Sequence, residues 1–316
     1  SMETTNTFSS IVGQETAKRR LNFYLDGYNA TSIVPHLMFV APKGCGKTTL
    51  AKAMARNLPS RENTGKPKKF LEINCSTLKN IKRLFNDIII PHVMHQECTI
   101  LFDEASELPK DIEMAMLTIL NPNPEHRTTF SCEDYEVDFD FRRHTFMFAT
   151  TEAQQIFHAL MDRCERVDLD EYTYDELSQI VSLNLKDTTW DEGVLEEMST
   201  VLRGNARQAQ KMAMNIQSHL GQQKRNHFAI ADWEYMRHAL GIQPLGLSPI
   251  EIRILRYLQQ KKECSLTYLS AKTGLTKACL QRDFELYLQK HNLMEISTAG
   301  RGITRKGKEY LDKLDK

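Results

Sequence analysis

The stretch Leu37-Met38-Phe39-Val40-Ala41-Pro42-Lys43-Gly44-Cys45-Gly46-Lys47-Thr48-Thr49 reads as an apolar strand, a glycine-bearing loop and the opening of a helix that continues through Leu50 to Leu58. That order is the setting in which a loop cradles nucleotide phosphates on inward-facing backbone N–H groups. Gly44 and Gly46 let the backbone turn those groups inward where a side chain would block them. Lys47 can reach the β and γ phosphates, and the Thr48 hydroxyl can complete the shell of a Mg²⁺ ion. The remaining loop residues, Pro42, Lys43, Cys45 and Thr49, belong to the same cradle. The position that usually opens this pattern with glycine holds Ala41, which is small and forgoes only positive φ, so an altered loop geometry is expected rather than lost binding. Glycines at such spacing also occur in unrelated loops; the flanking strand and helix are what point to phosphate.

A second strand-like run, Cys98-Thr99-Ile100-Leu101-Phe102, ends in Asp103-Glu104. Unbroken apolar runs of this kind are buried parallel strands, and ligands bind beyond their C-terminal ends. Asp103 would hold Mg²⁺, directly or through water, and Glu104 would polarise an attacking water. Such an acidic pair is common by chance; following a phosphate loop it predicts hydrolysis of a nucleoside triphosphate. A third strand, Thr145-Phe146-Met147-Phe148-Ala149, ends in Thr150-Thr151, whose hydroxyls can meet the γ phosphate or the water, or serve only as turn residues. Between these strands a helix over Ile112–Leu120 stops at Asn121-Pro122-Asn123-Pro124. Phe130, Tyr135, Val137, Phe139 and Phe141 then alternate with polar residues, predicting a hairpin that either packs or projects towards a partner or pore.

The 41 basic and 41 acidic residues cancel, but their distribution is uneven: residues 249–316 carry 14 Lys+Arg against 8 Asp+Glu, a net of +6 that leaves −6 on the rest. A basic module on an acidic body points to one nucleic-acid-facing end, or to a solvated basic surface. The seven cysteines form no CxxC pair or Cys/His cluster, which argues against structural zinc or a disulfide framework. Cys45 inside the phosphate loop is a candidate for oxidation sensitivity. With no secretory leader and no apolar 18-residue run, a cytoplasmic protein without membrane contact is expected.

Helical patterns over Asp175–Leu185, Val194–Val201 and Asn205–Leu220 suggest a small helical domain, which Phe228–Ala239 would close. The Gly/Pro-rich run 241–249 reads as a linker or domain edge. Beyond it, Ile250–Gln260, Ser265–Thr273 and Lys277–Lys290 have a helix-turn-helix rhythm, and Met294–Ile296 with Gly302–Thr304 could flank a short wing with Arg301 at or near its tip. Lys277 and Arg282 would lie on the recognition helix, while Arg301, Arg305 and Lys306 can neutralise backbone phosphates. No constellation demands a particular base sequence, and winged helices also bind proteins.

Taken together, these motifs resemble the AAA+ ATPases over nearly the whole chain, and in layout the RuvB family of Holliday-junction branch-migration motors. The implied fold class is α/β: an AAA+ P-loop domain (1–168), a small helical lid (169–242) and a C-terminal winged-helix DNA-binding domain (243–316). Phe8-Ser9-Ser10-Ile11-Val12-Gly13-Gln14 resembles the family's segment beside the adenine, which assigns Ile11 and Val12 to the nucleotide. Asp103-Glu104 match its Walker B acids and Thr150 its first sensor. Ala159-Leu160-Met161-Asp162-Arg163-Cys164 resembles the stretch presenting an arginine finger to a neighbouring subunit, with Arg163 alone where RuvB-like chains usually have two arginines. Arg203-Gly204-Asn205-Ala206-Arg207 resembles the second sensor, with Arg207 reaching the phosphates of its own subunit.

Residues 119–149 depart from this pattern and look more like the corresponding hairpin of Lon-type proteases, although no protease domain follows. In RuvB that region docks the junction-binding partner, so the departure bears on partnership and substrate. The resemblance implies a homo-oligomeric ring, a hexamer, that uses ATP and Mg²⁺ to move or remodel double-stranded or branched DNA. Two other classes remain open: an AAA+ loader or regulator that places a cargo protein or answers to a recruiter on DNA, and a nucleotide-switched DNA-binding scaffold.

Overall fold

A computed structural model describes residues 7–316, which fall into two compact units, one running to Phe228 and one comprising Ala229–Lys316. The first opens with α1 (Glu15–Thr31), which buries Ala17, Leu21, Leu25 and Tyr28 along one stripe. Strand β1 (Leu37–Val40) follows, buried throughout, and then α2 (Lys47–Arg56). After β2 (Lys69–Asn74), helix α3 (Ile81–Leu84) widens into a π-helix over Phe85–Val93. Strand β3 (Cys98–Asp103) and α4 (Lys110–Ile119) lead to a hairpin of β4 (Arg127–Cys132) and β5 (Tyr135–Asp140). Strand β6 (His144–Thr150), α5 (His158–Asp162) and β7 (Glu165–Asp168) complete this part.

Five of these strands form one parallel sheet in the order β2-β3-β6-β1-β7. The run of Cys98 to Phe102 is solvent-free because a parallel strand is covered on both faces. Phe102, Phe146 and Phe148 stack within this core. The register sets Val40 beside both Thr150 and Asp168, and Asp103 beside Ala149. Hence the phosphate loop, the acidic strand end and Thr150 share one edge of the sheet.

The hairpin β4–β5 packs one of its faces on the core. Val137 and Phe139 are fully buried and Phe130 lies against the same core, while Thr129, Ser131, Glu136 and Asp138 face away. Burying each of the two inward side chains stabilises the fold by about 1.5–3 kcal/mol.

The chain continues through α6 (Tyr174–Leu183), β8 (Thr189–Trp190), α7 (Val194–Ser199) and α8 (Ala206–Gln222) to β9 (His227–Phe228). Thr173 and Glu176 form a capping box that starts α6 where the sequence turns helical. The two-residue strands β8 and β9 pair in parallel, an element too short to leave a pattern in the sequence.

The second unit contains α9 (Ile230–Ala239), α10 (Pro249–Gln260), α11 (Leu266–Thr273) and a recognition helix in three parts. These parts are α12 (Lys277–Cys279), a π-helical stretch over Leu280–Glu285, and α13 (Leu286–Lys290). A wing of β10 (Met294–Ser297) and β11 (Gly300–Ile303) follows, then α14 (Arg305–Leu314). Ile254, Leu255, Leu258, Leu269, Leu280, Leu288 and Leu311 form its core. The residues of this core begin at Leu245 and Leu247. Among the described residues no helix is long and apolar enough to cross a membrane.

Candidate functional site

Gly44 and Gly46 have φ of 78° and 88°, the left-handed conformation that favours glycine. Ala41 has no positive φ, so its methyl group meets no backbone penalty, and its N–H donates to the Thr150 carbonyl at 3.2 Å. Among non-glycine residues of the motif segments, positive φ occurs at Gln14 (58°), at Glu104 directly after β3 (57°) and at Arg203 (59°). Residues held in such conformations cluster at functional sites. The Asp103 carboxylate accepts from the Glu104 N–H at 2.9 Å, fixing the turn that separates the two acids.

Lys47 opens α2, and burial pulls its ammonium below the usual lysine range. Asp103 and Glu104 oppose that shift and Arg207 adds to it, so one electrostatic neighbourhood holds all four side chains. Thr48 and Asp103, the two residues assigned to a metal, are both half-buried oxygen donors. No group of three or more metal-ligating side chains occurs among the described residues. A cation held here would therefore draw its other ligands from phosphate and water, as Mg²⁺ usually does. Thr150 is fully buried; its hydroxyl accepts from the Glu152 N–H at 3.0 Å, leaving the hydroxyl hydrogen to donate.

Ile11 and Val12 are half-buried just ahead of α1, and the Ile11 carbonyl accepts from the Lys18 ammonium. Pro42, Lys43 and Thr49 are exposed, whereas Cys45 is 1% exposed with its thiol directed at the Gly204 carbonyl, 3.8 Å away. Oxidation of Cys45 would thus require the 204–206 segment to lift first.

Three residues with no role assigned from sequence organise this site. Gln14 Nε2 donates to the Asp170 carbonyl at 2.8 Å and its Oε1 accepts from the Asp170 N–H at 3.0 Å. The Tyr172 hydroxyl donates to the Cys45 carbonyl at 3.4 Å. Asn205 caps α8, accepting from the Gln208 N–H at 3.1 Å, and donates to the Lys43 carbonyl at 3.1 Å. Asn205 and Gln14 lie inside the motif segments already singled out; Tyr172 carries no sequence signal of its own.

Arg163 stands apart from this group. It follows α5, two residues before β7, so it lies at the opposite edge of the sheet from the phosphate loop. The four-residue strand alone spans about 13 Å. Its Nε donates to the Leu117 carbonyl at 2.8 Å and its Nη1 to the Ala159 carbonyl at 2.9 Å. Beside it opens a cavity of about 380 Å³, lined among others by His36, Asn123, His126 and Glu165. Burial, reinforced by His126, lowers the His36 pKa to about 4.

In the second unit, Lys277 is exposed at the start of the recognition helix, as are Arg305 and Lys306 at the start of α14; Arg305 lies 3.3 Å from Glu309. Arg282 is exposed and engaged with the neighbouring Asp283. Arg301 corrects the sequence expectation. It is the second residue of β11, opposite Ile296, and its guanidinium makes two hydrogen bonds, of 2.8 and 3.2 Å, to the buried Glu285 carboxylate. With side chains 14% and 3% exposed, this pair ties the wing to the recognition helix, and the Arg301 charge is neutralised within the domain.

Comparison with known proteins adds two family matches. Residues 37–171 match the model of the ATPase family associated with various cellular activities (AAA), and residues 244–312 match the RuvB C-terminal winged helix domain. Relatives include the Holliday junction branch migration complex subunit RuvB of Wolinella succinogenes, 25% identical over 93% of this chain and 87% of that protein. The protein of the same name from Mycoplasmopsis pulmonis is 25% identical over 97% and 96%. Among solved structures, the Thermotoga maritima RuvB Holliday junction branch migration motor superposes with a TM-score of 0.77 at 21% identity, covering 96% of each chain.

Proposed function

We propose, from the premise that this chain is an AAA ATPase ending in a RuvB-type winged helix, that it is an ATP-driven motor that remodels or translocates along branched or duplex DNA. The observation that carries this reading is the convergence of Lys47, Asp103, Glu104 and Arg207 beyond the strand ends, in a chain that also carries an HTH-and-wing module. The relatives named for Holliday junction branch migration, matched over most of their length, support the junction as substrate.

In this reading the phosphate loop N–H groups and Lys47 hold the β and γ phosphates, while Thr48 and Asp103 would hold Mg²⁺, which would supply charge neutralisation. Glu104 accepts a proton from the attacking water and orients it, the role its position after β3 suits. The Thr150 hydroxyl donates to the γ phosphate or to that water. Arg207 meets the developing charge from the lid. Ile11 and Val12 lie beside the base.

Arg163 acts in the neighbouring subunit of a homo-oligomeric ring, taken as a hexamer, which makes turnover depend on assembly. Its separation from its own phosphate loop supports a role in trans, and reaching a neighbour requires release of the Leu117 and Ala159 carbonyls. The domain scheme we adopt is ATPase core 1–168, lid 169–242 and winged helix 243–316. Lys277, Arg305 and Lys306 contact DNA phosphates.

One observation favours a second reading. Arg282, Arg301 and Arg305, three of five candidate phosphate contacts, are engaged with carboxylates, and a winged helix with fewer available cations suits a loader that works through a recruiter or cargo protein.

ATP hydrolysis by wild type and Glu104→Gln, with no DNA, linear duplex and a four-way junction at two salt concentrations, tests both. A motor shows Glu104-dependent turnover stimulated by DNA, most by the junction, and weakened by salt as phosphate contacts require. Turnover indifferent to every DNA refutes the motor and favours the loader.

A further inference from the structure

The lid touches the phosphate loop through its own backbone, and one side chain organises that contact. Asn205 is half-buried at the start of the 17-residue helix α8. Its carbonyl oxygen caps the helix by accepting from the Gln208 N–H, while its amide nitrogen donates to the Lys43 carbonyl. The next residue, Ala206, donates its N–H to the Gly44 carbonyl at 3.0 Å. A Cβ on Gly44 would run into the Asn205 amide, so Gly44 is required by this packing as well as by its φ of 78°. Arg207 follows one residue later, in the first turn of α8.

We propose that Asn205 is a positioning residue that fastens the lid helix to the phosphate loop and thereby sets the place of Arg207 for hydrolysis. This rests on the reading of the site as an ATPase. An amide suits both tasks at once: its oxygen satisfies an orphan N–H of α8, and its nitrogen reaches a loop carbonyl. When the loop shifts around a γ phosphate, the Lys43 and Gly44 carbonyls move with it, and α8 follows through two hydrogen bonds rather than through loose packing. The assignment differs from that of Arg207, which meets the nucleotide itself.

The two tasks of Asn205 separate cleanly by substitution. Serine is as good an N-cap as asparagine but is too short to reach the Lys43 carbonyl. Asn205→Ser therefore keeps the helix start and removes the tether, whereas Asn205→Ala removes both. In the full-length chain, Asn205→Ser is expected to melt about 2–4 °C below wild type, the loss of one neutral hydrogen bond, and Asn205→Ala lower still, since serine keeps the cap. Its affinity for a fluorescent ATP analogue is expected to change less than about twofold, because the loop and Lys47 remain. Its kcat should fall about 3- to 10-fold, the worth of one lost neutral hydrogen bond to the geometry of the transition state. Hydrogen exchange at the Ala206 amide should quicken without nucleotide, a readout independent of turnover.

An Asn205→Ser variant with wild-type kcat and unchanged Ala206 exchange overturns the proposal. So does a kcat loss seen only in Asn205→Ala together with a lowered melting temperature, which would make Asn205 a cap and nothing more. Failure of the ATPase reading itself looks different: wild type would show no Glu104-dependent turnover, while the exchange measurement would still report the tether.

Discussion

Replacing Arg301 by alanine should damage the fold of the second unit rather than its grip on DNA. The Arg301–Glu285 pair is bidentate, and the carboxylate side chain is 3% exposed. Removing the arginine strands a buried charge, which costs about 3–5 kcal/mol. With a urea m-value of about 1–3 kcal/mol per molar, that lowers the unfolding midpoint of this unit by about 1–5 M. The chain has two tryptophans, and Trp233, fully buried, is the one in the second unit. Trp233 lies outside the core that holds the pair, so unfolding is followed instead by hydrogen exchange at core amides such as those of Leu255 and Leu288 at rising urea concentration. Arg301→Met combined with Glu285→Leu removes both charges together and should restore most of the lost midpoint, because an apolar pair of similar volume substitutes for a buried ion pair at little cost. This double variant should bind duplex DNA with the wild-type salt slope. The reasoning is refuted if Arg301→Ala keeps its midpoint, or if the double variant folds normally but loses about one unit of salt slope, the mark of a lost phosphate contact.

Arg163→Ala should abolish assembly-dependent turnover, by about 10³-fold or more, while binding of a fluorescent ATP analogue persists; full turnover in the purified variant would defeat its assignment as a finger in trans. Ala41→Gly should leave kcat within about twofold of wild type, because Ala41 already occupies an ordinary backbone conformation; a large gain would show that the loop is held back by its methyl group. The His36 pKa is lowered to about 4 by burial, so the folded state resists its protonation. Stability from this group is complete above the unfolded value near 6.5 and is lost as pH falls towards 4, on the order of 2–3 kcal/mol. His36→Gln should flatten the melting temperature between pH 6.5 and 4, and an unchanged acid slope would remove His36 from the account.

What could be read without coordinates follows from how local each signal is. Leu37–Val40 and Cys98–Phe102 are unbroken apolar runs, and parallel burial writes itself into sequence directly. The recognition helix was legible in extent but not in form, since a π-turn has the composition of an α-turn. Arg301 was legible as a cation in a wing and misjudged as available, because its partner Glu285 lies 16 residues away on another element. Tyr172 and Asn205 share that obstacle: their partners, Cys45 and Lys43, are 127 and 162 residues distant, and only the fold brings them into reach. Pattern reading finds the groups that do chemistry and misses the groups that hold them.

The π-turn over Leu280–Glu285 has a consequence for how this recognition helix can vary. One added residue advances the phase of an α-helix by about 100°, so the two ends of this helix stand at a fixed angular offset from the alignment an unbroken α-helix would give. The N-terminal end, with Lys277, can alter what it presents outward without disturbing Glu285, which faces inward to Arg301. Deleting a single residue from the π-turn would regularise the helix while swinging one end about its axis, either exposing Glu285 or turning Lys277 away. The segment therefore accepts substitution at its exposed positions, whereas a change in its length shifts the Lys277 end relative to the end anchored by Glu285.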